Sequence, residues 1–241
     1  MKQPFFWLAL TLTLVAISIL VNLGFWQLSR AEQKQLIQSQ LDINSRQDWQ
    51  SLNTFINRET DVELITGSRV VADLTPMEGR YVLLDNQVFE GEVGYLALQL
   101  METELGQYVL LERGFIAGTD SRSQLPPVEW LTEEYQGRGR LYVRSNNPLS
   151  DALMLEQTSP ARIQNLNLKQ LGEAWQLPLE HFVFQPQQEG WIYPQPWRPV
   201  PMNDQKHIGY AVQWFAMAMA LTVLGVIWLR KALRSSTKES L

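Results

Sequence analysis

The sequence predicts an α+β membrane protein in which two transmembrane helices, one N-terminal and one C-terminal, flank a mainly antiparallel β extracytoplasmic domain. Three observations carry this. Residues 4–28 and 208–229 contain no charged side chain, and each run is long enough, at about 1.5 Å per residue, to cross a hydrocarbon core roughly 30 Å thick. The mean hydropathy is nonetheless −0.17, so the residues between these runs must form a polar, water-soluble body. That middle region breaks into short β-type runs punctuated by turn residues rather than long helical periods.

The first apolar run, from Phe5 to Leu23 and on through Asn22-Leu23-Gly24-Phe25-Trp26-Gln27, lacks the small-residue cleavage site of a secretory signal and is longer than its apolar region, so it reads as an uncleaved anchor. Lys2 precedes it, and Arg230, Lys231, Arg234 and Lys238 follow the second run. Counting only these short flanks, the excess of basic residues places both termini in the cytoplasm and the middle domain outside. The expected setting is a bacterial plasma (inner) membrane, crossed twice, with a periplasmic domain. The expected organisation is a transmembrane helix over 4–28, a helical stalk over 29–61 and a β-rich domain over 62–186. A Pro/Trp-rich re-entry segment over 187–207, a second transmembrane helix over 208–229 and a cytoplasmic tail over 230–241 complete it.

Composition excludes several functions. The chain has no cysteine, which removes disulfides, thiolate metal sites, iron–sulfur clusters, covalent c-type haem and a cysteine nucleophile. Two histidines, His181 and His207, are too few for a three-histidine zinc centre. No His-Glu-x-x-His, Gly-x-Ser-x-Gly or phosphate-loop motif is present, and the Ser-x-x-Lys spelled by Ser235 to Lys238 falls in a short charged tail. The chain is read as not an enzyme. A net charge of −5 argues against nucleic-acid binding.

In order along the chain, Leu36, Ile37 and Leu41 continue helical spacing beyond the first apolar run. Candidate strands are Val70 to Leu74, Arg80 to Leu84, Tyr95 to Leu100, Tyr108 to Arg113, Arg138 to Arg144 and Phe182 to Gln185, with reversals expected at Asp85-Asn86 and Leu105-Gly106. In the fifth of these, Arg138, Arg140, Tyr142 and Arg144 alternate with Gly139, Leu141 and Val143. Such an arginine face either binds an anion or is a solvated face balanced by Glu133 and Glu134, and the second reading is preferred. Asn167 is placed to cap a short helix with Leu168, Leu171, Ala174 and Trp175 inward, ended by Pro178. The segment from Gln185 to Pro201, rich in proline and carrying Trp191, Tyr193 and Trp197, is too aromatic for a passive linker. It is expected to lie along the membrane surface or the underside of the domain.

The start of the second apolar run is crowded with chemistry. His207, Tyr210 and Trp214, three and then four residues apart, share a helix face. Gln213 needs a hydrogen-bond partner at lipid depth. The plain reading is an interfacial aromatic belt.

Two terminal motifs resemble one family. Leu23-Gly24-Phe25-Trp26-Gln27-Leu28-Ser29-Arg30 followed by Lys34 is similar to the Leu-Gly-x-Trp-Gln-Leu-x-Arg-x-x-x-Lys signature of the Surfeit locus protein 1 family. His207-Ile208-Gly209-Tyr210-Ala211-Val212-Gln213-Trp214-Phe215 resembles its His-x-x-Tyr-Ala-x-Gln-Trp-Phe signature. Gly79-Arg80-Tyr81, Gly91-Glu92-Val93-Gly94-Tyr95 and Val109 to Phe115 correspond in order to its central motifs, with Glu112 and Phe115 where the family usually has Asn and Trp. The resemblance implies an assembly factor for the respiratory haem-copper terminal oxidase (cytochrome c oxidase), one that carries haem a to the catalytic subunit without catalysing a reaction. It also implies contact with that subunit and with haem a synthase, within membrane lipid. On this reading His207 is the candidate haem iron ligand, with Tyr210, Gln213, Trp214 and Trp26 as candidate lining. The alternative is a purely structural scaffold that holds oxidase subunits and binds no cofactor.

The topology is directly testable. Reporter fusions after Leu229 are expected to be active only in the cytoplasm, and fusions near Asn146 only outside. A carboxyl terminus found outside the cytoplasm would remove the two-span reading.

Overall fold

The computed structural model of the chain describes residues 3–56, 62–143, 151–197 and 204–239. In chain order its elements are α1 (Gln3–Arg46), β1 (Gln50–Ser51), β2 (Arg69–Phe89), β3 (Glu92–Thr103), β4 (Tyr108–Ala117), β5 (Tyr135–Tyr142), β6 (Ala161–Ile163), α2 (Leu168–Trp175), β7 (Leu179–Pro186) and α3 (Asp204–Glu239). They form two compact units, one of Met1–Ser39 with Val200–Leu241 and one of Gln40–Pro199.

The first unit is an antiparallel helix pair. α1 and α3 are each long and apolar enough to cross a membrane. Their contacts run in opposite chain directions, from Phe6 stacked on Trp228 at 5.2 Å, through Phe25 edge-on to Phe215 at 5.3 Å, to Gln35 donating to Asp204 at 2.8 Å. Polar side chains in the apolar stretch return hydrogen bonds to the preceding turn: Thr13 to the Ala9 carbonyl, Asn22 to that of Ser18 and Thr222 to that of Ala218. In a medium without water that local bond spares the cost of an unpaired group.

The second unit is built on β2, 21 residues long. It pairs antiparallel with β3, and its first half also pairs antiparallel with β5. Because β3 pairs with β4, β4 with β7 and β7 with β5, the hydrogen bonding returns to β2 and the sheet closes on itself, leaving no open edge in that ring. The expectation of a mainly antiparallel domain holds for most of the ring, but the sheet is mixed: β4–β7 is parallel, and so are the additions β1–β2 and β2–β6.

Closure requires β2 to bend, and it does so at two register shifts, between Pro76 and Tyr81 and between Leu84 and Gln87. The candidate strands Val70–Leu74 and Arg80–Leu84 are therefore parts of one strand. Asp85-Asn86 is a bulge instead of the expected reversal. Asn86 takes φ 56 and its N–H is held by the Asp85 carboxylate at 2.7 Å, a local bond that serves a bulge as well as a turn. The chain reverses at Glu90-Gly91, with φ 50 and 88, the positive pair that a two-residue hairpin needs. The reversal near Leu105-Gly106 is where expected, with Gly106 at φ 72.

From Gly94 to Met101 every residue is buried, which accounts for that strand's nearly unbroken apolar run. One face joins Val70, Leu74, Met101, Leu111 and Phe184 in a core. The other joins Val82, Leu98, Leu110 and Val183 with Leu171 of α2. The Asn167 side chain caps α2 by accepting from the Gln170 N–H at 3.0 Å. Leu168, Leu171 and Trp175 turn inward, but Ala174 is exposed and Gly172 is buried in its place. A helix of only two turns buries one narrow stripe, and Gly172 occupies the part of it that passes the Leu177 carbonyl.

α1 stops at Arg46. Within the expected helical stalk, Gln50–Ser51 instead pairs with Val70–Val71, Leu52–Thr54 forms a 3₁₀ turn, and residues 57–61 lie outside the described residues. The Asn44 amide ties the end of α1 into this unit by donating to the carbonyls of Leu64 and Thr66 at 2.6 and 2.8 Å.

The Pro/Trp-rich segment is strapped across β4. Trp191 donates to the Arg113 carbonyl at 2.7 Å, the Phe115 N–H donates to the Pro194 carbonyl at 2.7 Å, and the Glu129 N–H donates to the Tyr193 hydroxyl at 2.7 Å. Gly114 makes the strap possible. Its φ is 123, and a Cβ there would lie 2.7 Å from both the Pro194 carbonyl and the Tyr193 Cβ. Gly114→Ala is expected to destabilise this unit by about 1–3 kcal/mol through backbone strain and steric expulsion of the strap. Urea unfolding of the full chain, followed by near-ultraviolet circular dichroism, checks the value.

Candidate functional site in the helix pair

α3 opens with Asp204 in its first turn, where a carboxylate is favoured by the unpaired N–H groups of the helix start. One turn on, His207 is half-buried and its Nδ1 lies 2.8 Å from Gln27 Oε1 of α1. An amide oxygen only accepts, so Nδ1–H donates, the arrangement that in a neutral imidazole leaves the lone pair on Nε2. That is the tautomer and the kind of second-atom support a metal-binding imidazole uses. Among the described residues no group of three or more His, Asp or Glu side chains is placed to hold a bare metal ion. What the site offers is one oriented imidazole beside an apolar surface, a single nitrogen donor.

Close approach of the helices supports this pair. A Cβ on Gly24 would meet the Phe215 ring at 2.6 Å, so the glycine lets Phe215 lie against the α1 backbone one turn from Gln27. Ala211 and Ala218, both buried, keep the same face of α3 small.

The sequence-predicted residues are distributed unevenly around His207. Trp214 is half-buried on the side of α3 that meets α1, Tyr210 stands at its edge and is 46 % exposed, and Gln213 is exposed on the outward side. Trp26 is 51 % exposed, with the Arg30 guanidinium 5.8 Å above its ring. At about 100° per residue Trp26 and Gln27 point in different directions, and it is Gln27 that reaches His207. A glutamine between Trp26 and Leu28 reads as an interfacial residue until the opposite helix is in place, so no local pattern singles out Gln27. The Gln35–Asp204 bond was invisible for the same reason.

The second unit holds a separate set of buried polar groups. Glu112, 1 % exposed, accepts from the Tyr142 hydroxyl and from Gln185 Nε2 at 2.8 Å. Gln185 Oε1 in turn accepts from Arg140 Nε at 2.6 Å, and Arg140 lies 3.5 Å over the Trp197 ring. Burial pushes the Arg140 guanidinium down to about 10, partly offset by Glu112. The arginine face is thus divided by the fold. Arg140 belongs to this network, whereas Arg138 and Arg69 stack on Trp49 at 5.0 and 4.1 Å. Arg144 lies outside the described residues. The expected balance by Glu133 and Glu134 does not form. Among the described residues the ion pairs are Arg122–Asp85 and Arg162–Glu156, and indole rings face Arg138 and Arg140 instead. Glu133 and Glu134 line an open cavity of about 1030 Å³ with Arg113, Tyr135 and Trp191. Burial lowers the Arg113 pKa and pushes the Tyr135 hydroxyl up to about 12.

A pair of long apolar helices with one oriented imidazole between them, and a small closed mixed barrel, define a barrel protein with two helices long and apolar enough to cross a membrane. The SURF1 family model matches residues 14–219, which include most of α1, the first part of α3 with His207, and the entire barrel, and the chain belongs to the SURF1 family. It is similar to the SURF1-like protein of Rickettsia felis, 22 % identical over 235 residues that cover 91 % of this chain and 96 % of the relative. It is also similar to the SURF1-like proteins of Rickettsia conorii, 22 % identical over 236 residues (91 % and 90 % covered), and Rickettsia prowazekii, 24 % identical over 224 residues (90 % and 88 % covered).

The site depends on helix contact at Gly24. Gly24→Val is expected to force Phe215 off α1 and to weaken the helix pair by about 1–3 kcal/mol, as overpacking does, with Gly24→Ala costing less. Thermal unfolding of the full chain in detergent, read by far-ultraviolet circular dichroism, measures the order wild type, Ala, Val.

Proposed function

We propose that this protein is an assembly factor for a respiratory haem-copper terminal oxidase, cytochrome c oxidase, and that it holds haem a transiently as cargo for the catalytic subunit. The SURF1 family is known generally as a family of oxidase assembly factors. The helix pair spans the bacterial inner membrane with both termini in the cytoplasm and the barrel in the periplasm. The observation that carries the reading is the His207 Nδ1–H bond to Gln27 across the helix pair. It fixes the ring and leaves Nε2 free as a donor at the depth where an apolar porphyrin dissolves.

Each residue has a distinct part. His207 supplies the nitrogen, Gln27 sets its tautomer and angle, and Trp214 adds apolar wall beside it. Lys206, next to His207, is suited to pair with a propionate at headgroup level. The partners are the oxidase catalytic subunit and haem a synthase, met laterally in the membrane. Gln213 and Trp26, both turned away from the partner helix, equally suit a scaffold that packs against oxidase subunits without cofactor, because an amide exposed at lipid depth favours a protein partner.

The two readings separate on haem occupancy. Protein purified from haem-a-producing cells is expected to show a Soret band that His207→Ala abolishes, while membrane insertion and His181→Ala protein remain normal. Gln27→Leu should keep the ligand but loosen it, weakening affinity by about 10–100-fold, as loss of a supporting bond to a metal-bound histidine does. Full haem occupancy in His207→Ala would leave the scaffold in its place.

A further inference from the structure

We propose that α1 pairs in parallel with α1 of a second copy of this chain, along the helix face that points away from α3. The inference rests on the membrane reading above only in fixing which way the two copies run.

With about 100° between successive residues, Phe6, Gly24 and Gln27, which meet α3, fall on one side of α1. The opposite side carries a stripe whose members alternate four and three residues apart. In the apolar stretch it comprises Val15, Ile19, Asn22 and Trp26, all exposed. They line a shallow groove of about 710 Å³ together with Ser18 and Leu23. The stripe then continues, at the same spacing, through Ser29 and Gln33 to Leu36. This alternation is the repeat of about 3.5 residues that supports a left-handed coiled pair.

Lipid does not explain the outer part of the stripe. Leu36 is 64 % exposed and Ile37 beside it 42 %, yet they follow Arg30, Glu32 and Lys34, about 12 Å beyond the last residue of the apolar run at the helical rise. Glu32 and Lys34 lie off the stripe, and Arg30 flanks it, its guanidinium 5.8 Å from the Trp26 ring. Every residue on the stripe is apolar or carries a hydroxyl or a carboxamide, so an identical copy laid alongside in the same direction brings no like charge onto the stripe itself. Asn22 strengthens the case for self-pairing. Its Nδ2 donates to the Ser18 carbonyl at 2.8 Å, which uses one N–H and leaves a second N–H and the oxygen for an identical amide. A single buried amide at such a position sets register and pairing state in coiled coils. The pairing leaves α3 and the His207–Gln27 bond on the outside of each copy, so a dimer carries two independent sites.

The absence of cysteine makes the test clean. Single cysteines are placed at Leu36, on the stripe, and at Gln38, off it, in the full chain, and membranes are treated with copper–phenanthroline. Leu36→Cys is expected to give a disulfide-linked species of twice the chain mass in several-fold higher yield than Gln38→Cys. Differently tagged copies are expected to co-purify in mild detergent, and Asn22→Leu to reduce that co-purification. Equal yields from the two cysteines, or no doubled species from Leu36→Cys, would overturn the pairing. A Leu36→Cys adduct of a different mass would assign the stripe to another protein and overturn it as well. Release of the chain by alkaline carbonate would count against the membrane reading alone, while the two crosslinking yields still judge the pairing.

Discussion

The second unit depends on the ability of β2 to pair on both sides while bending. It gives one edge to β3 from Leu74 to Phe89, with β1 beside Val70–Val71, and divides the other between β5 and β6. Without the two register shifts its later half would run on beyond β5, and the ring through β3, β4 and β7 would not come back to its start. A small barrel of this kind gains no edge protection from covering helices, so closure itself prevents the strands from pairing with other chains. The bulge at Asp85-Asn86 is accordingly well secured. Arg122 and Gln164 both donate to the Asp85 carboxylate, at 2.7 and 3.0 Å, and the Asn86 amide donates to Gln164.

The closed barrel also decides where polar groups are tolerated. Gln99 is wholly buried, but it exchanges two hydrogen bonds with the Leu131 backbone, at 2.8 and 2.9 Å. Arg113 is 4 % exposed and is satisfied by the Glu129 carbonyl and by stacking on Trp191. Each such group fastens a loop or the proline-rich strap to a strand, which is the use of a buried polar group that repays its desolvation. The helix pair follows the same rule. Polar contacts between its helices, among them His207 with Gln27 and Gln35 with Asp204, lie towards one end, and further along rings meet rings, Phe25 on Phe215 and Phe6 on Trp228, with Phe215 also against Gly24.

Several details show why one-dimensional patterns misplace residues. Asp85-Asn86 carries the chemistry of a turn, and that chemistry is met just as well inside a bulged strand. Ala174 fits the inward spacing of α2, but the neighbouring backbone requires Gly172 there. The alternation of Arg138, Arg140 and Tyr142 is real, yet Tyr142 is buried and Arg140 half-covered because Trp197, 55 positions further on, closes over them. Charge balance by sequence neighbours, the natural guess for Glu133 and Glu134, fails because β5 turns its arginines towards Trp49 and Trp197.

The sequence by itself determined the two apolar helices, the β character of the middle, the cap of α2, the absence of cysteine chemistry and the family. These depend on local run length, period and composition, which need no partner to be read. Only the tertiary structure decided that β4 and β7 run parallel, that the sheet closes, that Glu112 sits beneath Tyr142 and Gln185, and that Gln27, not Trp26, faces His207. Each of these is a contact between residues far apart in sequence, set by the bend of β2 or by the rotation of α1 against α3, and neither quantity is encoded within any single window of the chain.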